Sequence, residues 1–411
     1  MLNSLKKIFH IFRRQLAKFW LKFFPKLIII GITGSYGKTN TVQAIEAVLK
    51  TKFQTLTTDI NLDTIYNLPL TLLKIRPKTK VLILEYGVDH KGEMDKHLAL
   101  VKPQIGVITG ITPVHSEKNL LGSLEGIIKE KSKLIEKLTQ KGWAILNFDN
   151  QYVRKMAQKT VASIISYGNK PQFNYWASDI KVNLKGTSFL LHYNEVGKKQ
   201  IKAIKTKLIG KHFVHEIMTA LAVGKILGVD INHGAQGINN LKPLSGRMSI
   251  EEGPLETILL NDSLRANPES TIAGLETLAA IKHSSKKIAV LGEMGELGNY
   301  CQKEHYRVGT VFAKLNIDFL ITIGSDTKWI IKGAKDRRFP KKEIFYAENV
   351  REAALFLKET LKPNNLWYLK GSRLKHLERI LLILEGKRVD CQLTSCHNYW
   401  SCQNCPKLVK E

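Results

Sequence analysis

Acidic side chains are in short supply in this sequence. Against 63 Lys and Arg stand only 36 Asp and Glu, so the 411-residue chain carries a formal charge of +27. A charge of that sign disfavours cationic partners and favours anionic ones: nucleotides, nucleic acid or an anionic membrane surface. A general lysine bias in composition would give the same balance with no partner at all. Cysteine is sparse as well, too sparse for a disulfide-built scaffold. Of the five, Cys391, Cys396, Cys402 and Cys405 crowd into the last 21 residues, while Cys301 stands alone. There is no internal repeat, no low-complexity tract and no basic–aromatic nucleic-acid module, so nucleic acid is not an expected partner. What is left is ordinary. A content of 44% hydrophobic and 24% charged residues fits a soluble globular protein, long enough for two or three domains.

The opening segment MLNSLKKIFHIFRRQLAKFWLKFFPK, residues 1–26, holds seven Lys and Arg and no acid. Leu5, Ile8, Phe9, Phe12, Leu16, Phe19, Trp20 and Phe23 recur at the spacing of one helix face. Lys6, Lys7, Arg13, Arg14, Lys18 and Lys22 lie mostly elsewhere on the wheel. No apolar run here approaches the ~20 residues that span a bilayer, and none has the form of a signal peptide. The pattern predicts a basic amphipathic helix lying in a membrane interface. Docking of the same face on the protein's own body is the competing reading.

Downstream, apolar strands alternate with helices. KLIIIGITG, KVLILEYGVD (80–89), IGVITGI (105–111) and GWAILNFDN read as buried strands. TNTVQAIEAVLK and SLEGIIKEKSKLIEKLTQ (123–140) read as helices. Residues 160–209 are more β-rich, and HFVHEIMTALAVGKILG is again helical. LKPLSGRMS (241–249), with Pro and Gly, marks an interdomain linker. A second α/β pattern follows, with strands ETILLND, KKIAVLGE, IDFLITIG and NLWYLKG separated by helices. The expected fold class is α/β: a phosphate-loop central domain with a mainly parallel sheet, then a Rossmann-like α/β domain. The expected divisions are 1–26 (basic helix), 27–243 (central domain), 244–388 (C-terminal domain) and 389–411 (Cys-rich tail).

The stretch GITGSYGKTNT (31–41) sits between a strand and a helix. Gly37-Lys38-Thr39 ends like a phosphate-binding loop, but the usual pattern asks for a glycine five places before Gly37, where Ile32 stands. The glycines present are Gly31 and Gly34. Such loops work because consecutive backbone N–H groups and a helix N-terminus surround an anion. Lys38 would add a charge at the β/γ-phosphates and Thr39 a hydroxyl for Mg²⁺.

This loop resembles the ATP loop of the Mur ligase family, commonly GITGTNGKTTT, and further segments follow it in order. LILEYGVDHKGEMD (82–95) resembles that family's E-M-G-x-x-x-x-G-E segment. GVITGITPVH, SLEGIIKEKSKL, LSGRM, NDSLRANPES, VLGEMGELG with His305, and LKGSR resemble its later motifs. Together they cover residues 31–373, and the best match is to the branch that joins D-Ala-D-Ala to a peptidoglycan precursor.

The resemblance implies an ATP- and Mg²⁺-dependent ligase that works through an acyl phosphate on a muramoyl-peptide acceptor. It places Gly34, Ser35, Tyr36, Gly37, Lys38, Thr39 and Asn40 around the phosphates. Arg247, Asp262 and Asn267 would touch the nucleotide from the linker and the following loop. Thr39, Glu85, His115 and Lys131 would serve Mg²⁺, Lys131 as a carbamate. Lys38, Glu85, His115 and Lys131 would form the catalytic set. Lys370, Ser372 and Arg373 would hold the incoming D-Ala-D-Ala or a similar amine, since guanidinium binds carboxylate in a fork. Read without the family, His115 is an ordinary loop histidine and Lys131 one helix lysine among many.

Three departures qualify the match. Only about 30 residues precede the loop, where the family has a domain that grips the UDP-sugar. Phe213 and Glu216 replace two family asparagines, and Leu264 and Arg265 replace a tyrosine and an asparagine, which implies an altered base pocket. The tail CQLTSCHNYWSCQNCPK, with His397, can supply a tetrahedral thiolate site for Zn²⁺; an iron–sulfur cluster or free thiols are its other readings. Two alternatives stand beside the main reading. One is a related ligase or amidating enzyme on lipid-linked precursors; the other is a non-catalytic nucleotide-binding scaffold, against which the presence of Lys38, Thr39, Glu85, His115 and Lys131 argues. The expected location is cytoplasmic, with peripheral contact at the inner face of the membrane through residues 1–26.

Overall fold

A computed structural model describes residues 2–59, 64–195, 197–396 and 402–405. The chain divides into two compact units, the first comprising Met1–Lys181, Ser188–Thr206 and Phe213–Leu241, and the second Val182–Thr187, Lys207–His212 and Lys242–Glu411.

The first unit opens with helix α1 (Leu2–Leu21). Then come β1 (Ile28–Thr33), α2 (Lys38–Leu49), β2 (Thr55–Thr57), α3 (Thr64–Leu73), β3 (Val81–Glu85), α4 (Glu93–Leu100) and β4 (Ile105–Ile108). Next are α5 (Leu124–Glu136), β5 (Trp143–Asn147), α6 (Gln151–Met156), β6 (Ser163–Gly168), β7 (Tyr175–Asn183), β8 (Gly186–Glu195) and β9 (Lys198–Thr206), before α7 (Phe213–Ile226) and α8 (Ile231–Asn240). The strands form one sheet in the order β2-β3-β1-β4-β5-β6-β7-β8-β9, parallel from β2 through to β7. Helices cover both of its faces, which is why β1, β3 and β4 are continuous apolar runs rather than alternating ones. One core cluster joins Ile29, Leu82 and Leu84 to Leu68, Leu72 and Leu98. Another joins Ile108 and Leu146 to Ile127, Ile135 and Val153.

Helix α1 forms as expected but divides its apolar residues. Ala17 is fully buried and Trp20, Leu21 and Phe24 pack with it against the first cluster. The Trp20 indole donates to the Ile75 carbonyl at 3.3 Å, and Arg14 donates to the Lys96 carbonyl at 2.7 Å. Phe9, Phe12, Leu16, Phe19 and Phe23 stay exposed, so neither the membrane face nor the docking face is the single stripe that periodicity suggested. The side chains of Leu5 and Ile8 lie outside the described residues. No helix among the described residues is long and apolar enough to cross a membrane.

The second unit contains β10 (Ser249–Gly253), β11 (Thr257–Asp262), α9 (Pro268–Ala280), β12 (Lys287–Gly292), α10 (Cys301–Phe312) and β13 (Phe319–Ile323). It ends with α11 (Lys328–Asp336), β14 (Ile344–Ala347), α12 (Val350–Thr360), β15 (Leu366–Lys370) and α13 (Arg379–Leu384). Its sheet runs β10-β11-β15-β12-β13-β14. Only β10 is antiparallel to its neighbour. Val290, Ile321, Trp367 and Leu369 meet Ala353, Leu357 and Ile380 in its own core. The mainly parallel α/β class read from the sequence is the class observed.

Candidate active site

Parallel sheets of this kind hold ligands beyond the carboxyl ends of their strands, and the sequence-derived residues gather there. In the first unit the loop 34–37 leaves β1 and runs into α2. Gly37 takes a left-handed φ of 74° at the start of α2, a conformation that costs an L side chain roughly 1 kcal/mol or more. A Cβ on Gly34 would come within 2.0 Å of the Thr109 hydroxyl after β4. The glycines at 34 and 37 therefore answer to sterics of this loop, not to the spacing of the commoner phosphate loop. Ser35 donates its N–H to the Gly110 carbonyl at 2.7 Å and its hydroxyl to the Thr112 carbonyl at 3.2 Å. Tyr36 accepts from the Thr109 hydroxyl. Lys38 curls back to the Gly34 carbonyl at 2.9 Å, and Asn40 sits in the first turn of α2.

Thr39 donates to Glu85 at the end of β3, at 2.9 Å, while the Glu85 N–H donates to the Thr58 hydroxyl at 3.0 Å. Two further candidates converge on one backbone oxygen. The Val88 carbonyl lies 3.3 Å from His115 Nδ1 and 3.2 Å from Lys131 Nζ. His115 has φ 73°, a left-handed backbone that costs a non-glycine residue about 1–3 kcal/mol and tends to mark functional loops. Lys131 is fully buried on α5. Burial first, then the nearby Lys38 charge, pushes its amine down to about 7, against the opposing pull of Asp89, Glu85 and Glu130.

The oxygens of Thr39 and Glu85 suit a hard cation such as Mg²⁺. An ammonium at Lys131 does not. An amine with a substantial neutral fraction near pH 7 can, however, add CO₂ and become an anion. Asp89 and Glu130 act electrostatically on Lys131, and no motif in the sequence marks them for that role. Their position beside Lys131 depends on the fold.

Glu216 on α7, where the family has asparagine, closes the other side of the loop. Its Oε1 lies 3.1 Å from where a Cβ on Gly37 would stand, and its buried Oε2 has no hydrogen-bond partner among the described residues. Burial pushes this carboxyl up to about 8, so at neutral pH it carries a proton to donate. Phe213 is buried in the first turn of the same helix.

In the second unit Asp262 ends β11 and Lys370 ends β15, paired across the ladder. Lys370 donates to Asp262 Oδ2 at 2.6 Å and the Tyr368 hydroxyl donates to the same oxygen at 3.1 Å. Arg247 is close enough to act on the buried Lys370, whose amine burial holds below its ordinary value. Ser372 donates its N–H to the Glu293 carbonyl at 3.0 Å, and Arg373 lies 3.7 Å from Glu378. Two residues carry structural duties that sequence reading missed. Asn267 caps α9, its Oδ1 accepting from the Ser270 N–H at 2.9 Å, with Pro268 in the first turn. An N-P-x-S run is the signal for that role. His305 bridges the Met294 N–H and the Cys301 carbonyl.

All five cysteines are thiols rather than disulfides. His376, Glu378 and Cys402 can place one ligand atom each within 4.8 Å of one another, and no such group among the described residues unites the four tail thiols. Cys391 lies near Arg379, Sγ to Nη1 3.8 Å, and Cys396 donates its N–H to the Leu374 carbonyl. Cys405 follows Cys402 in the same short turn. His397 lies outside the described residues.

Comparison with known proteins gives the family. Residues 32–224 match the Mur ligase middle domain and residues 246–373 the Mur ligase, glutamate ligase domain. The UDP-N-acetylmuramoyl-tripeptide–D-alanyl-D-alanine ligase of Bacillus subtilis is 30% identical over 368 residues, covering 90% of this chain and 78% of the relative. A crystal structure of MurF from Acinetobacter baumannii superposes with a TM-score of 0.82 at 25% identity, over 92% of this chain and 81% of that one. The fold is also that of Thermotoga maritima MurF in complex with ADP, with a TM-score of 0.77 at 24% identity over 92% and 83% of the two chains. With both family domains in sequence and the shifted glycines in place around the loop, the chain belongs to the Mur ligase family of ATP-dependent ligases.

Proposed function

We propose that this ligase adds D-Ala-D-Ala to a muramoyl-peptide precursor of peptidoglycan in the cytoplasm, with residues 27–243 as the ATP-binding domain and residues 244–388 as the C-terminal domain. The observation that carries the proposal is the convergence of Lys38, Thr39, Glu85, His115 and Lys131 at the strand ends of the first unit. In the first step a peptide carboxylate oxygen attacks the γ-phosphorus of ATP and ADP departs, leaving an acyl phosphate. In the second the dipeptide amine attacks the acyl carbon, phosphate departs, and the nitrogen loses a proton to give the amide. Lys38, released from Gly34, and the loop amides other than that of Ser35, which is bonded to Gly110, hold the β- and γ-phosphates. Thr39 and Glu85 would hold one Mg²⁺, His115 and carbamylated Lys131 a second, and the two would neutralise charge on the transferring group.

Arg247 and Asp262 serve the nucleotide, while Ser372 and Arg373 hold the dipeptide carboxylate. Lys370 acts through Asp262, which it orients. The same proposal extends to the membrane's inner face, where residues 1–26 hold the enzyme. For residues 389–411 it includes a zinc site with Cys402 and His376 among its ligands, supported by their grouping with Glu378; purified protein with no zinc by elemental analysis would remove that part.

The test is phosphate release from ATP with a panel of amines against soluble and lipid-linked acceptors. Release should require D-Ala-D-Ala and an acceptor together, and Lys38→Ala should lower it at least ~100-fold. A scaffold without activity would release nothing with any pair.

A further inference from the structure

We infer that the outer stripe of α1 is a docking surface for an anionic lipid bilayer, an inference that rests on the peripheral location proposed above but not on the ligase chemistry. Phe9, Phe12, Leu16, Phe19 and Phe23 are 65, 64, 45, 56 and 61% exposed. The spacing of three and four residues sets the first four along one side of α1, and Phe23 follows in the turn just after its end. The helix is already held to the protein by another side, through Ala17, Trp20 and Leu21, with Phe24 just beyond its end. The stripe is therefore not needed for α1 to stay in place. Five large apolar side chains in a row on a soluble surface, four of them phenylalanine, mark an interaction site.

Charge selects the occupant. Residues 1–26 contain seven Lys and Arg and no acid, and Lys18 and Lys22 are exposed beside the stripe. A second copy of α1 would bring two such segments together and add like charges. An anionic bilayer offers an apolar layer at the depth of the phenylalanine rings and negative headgroups at the level of the lysines. Nothing is needed from an acidic protein partner, whose surface would satisfy the lysines but not bury the rings.

The experiment is flotation of the full chain with vesicles of phosphatidylcholine, alone or mixed with phosphatidylglycerol. The wild-type protein should float with the mixed vesicles, far less with neutral ones, and should be released by salt. Phe12→Glu with Phe19→Glu should cut binding at least ~10-fold, and Lys18→Glu with Lys22→Glu should weaken it in the anionic vesicles alone. Turnover with a soluble acceptor should be unchanged in both variants, which separates failure of docking from failure of the ligase reading. Absence of wild-type flotation with phosphatidylglycerol would overturn the inference. So would a sedimentation profile showing a stable dimer that only the phenylalanine substitutions dissolve.

Discussion

Lys131 is a long amine side chain fully buried on α5, and its chemistry follows from that. A buried ammonium is costly, so the amine is held near neutrality at physiological pH, and neutral amines are the ones that react with CO₂. Because its folded pKa lies below that of a free lysine, the unfolded chain binds the extra proton between pH about 7 and ~10.4. Stability should therefore rise with pH across that window. Lys131→Met should raise the melting temperature near pH 7 and flatten this rise, while abolishing ligation; thermal melts at several pH values read the first effect. Arginine at 131 should not restore activity, since guanidinium stays charged and forms no carbamate. Direct detection, by ¹³C NMR after equilibration with labelled bicarbonate, should show a carbamate in the wild type only.

Glu216 has the opposite sign. Its carboxyl, raised to about 8, keeps a proton that the unfolded chain loses above pH ~4, so it makes stability fall as pH rises between those values. Glu216→Gln should remove that fall while keeping a donor beside Gly37.

Among the elements, helix α9 separates structural from chemical duty. Asn267 caps it, so Asn267→Ala should cost about 1 kcal/mol of stability in denaturant titrations. The KM for ATP should stay within twofold if capping is its whole role. The same helix shows what was legible beforehand. Strands β1, β3, β4 and β5 could be read because strands buried on both faces are unbroken apolar runs. Helices α2, α5 and α9 could be read from their periodicity. Strand β2, with three residues, and the polar α8 leave too weak a pattern. At the site, Lys38, Thr39 and Glu85 were legible from the loop and its neighbouring strand. The Lys370–Asp262 pair was not: its partners stand 108 residues apart, and only the register of β11 with β15 brings them together. For α1 the periodicity showed an apolar face but could not say which residues had a partner within the chain.

At the scale of the whole molecule, two units with separate hydrophobic cores should unfold with some independence. The phosphate loop lies in the first, so ADP with Mg²⁺ at ~100 times its Kd should stabilise that unit by about 2.7 kcal/mol. Calorimetry should show the corresponding transition moving to higher temperature ahead of the other. The exposed stripe on α1 has a consequence that no single-site measurement would reveal. A protein held at a surface searches for its substrates in two dimensions, and anything tethered to that surface is met at a much higher effective concentration. An acceptor sharing the bilayer would then show a lower apparent KM than the same acceptor free in solution, with every atom of the active site unchanged. Detergent would erase that difference, and a kineticist working in micelles would find an enzyme with no preference at all.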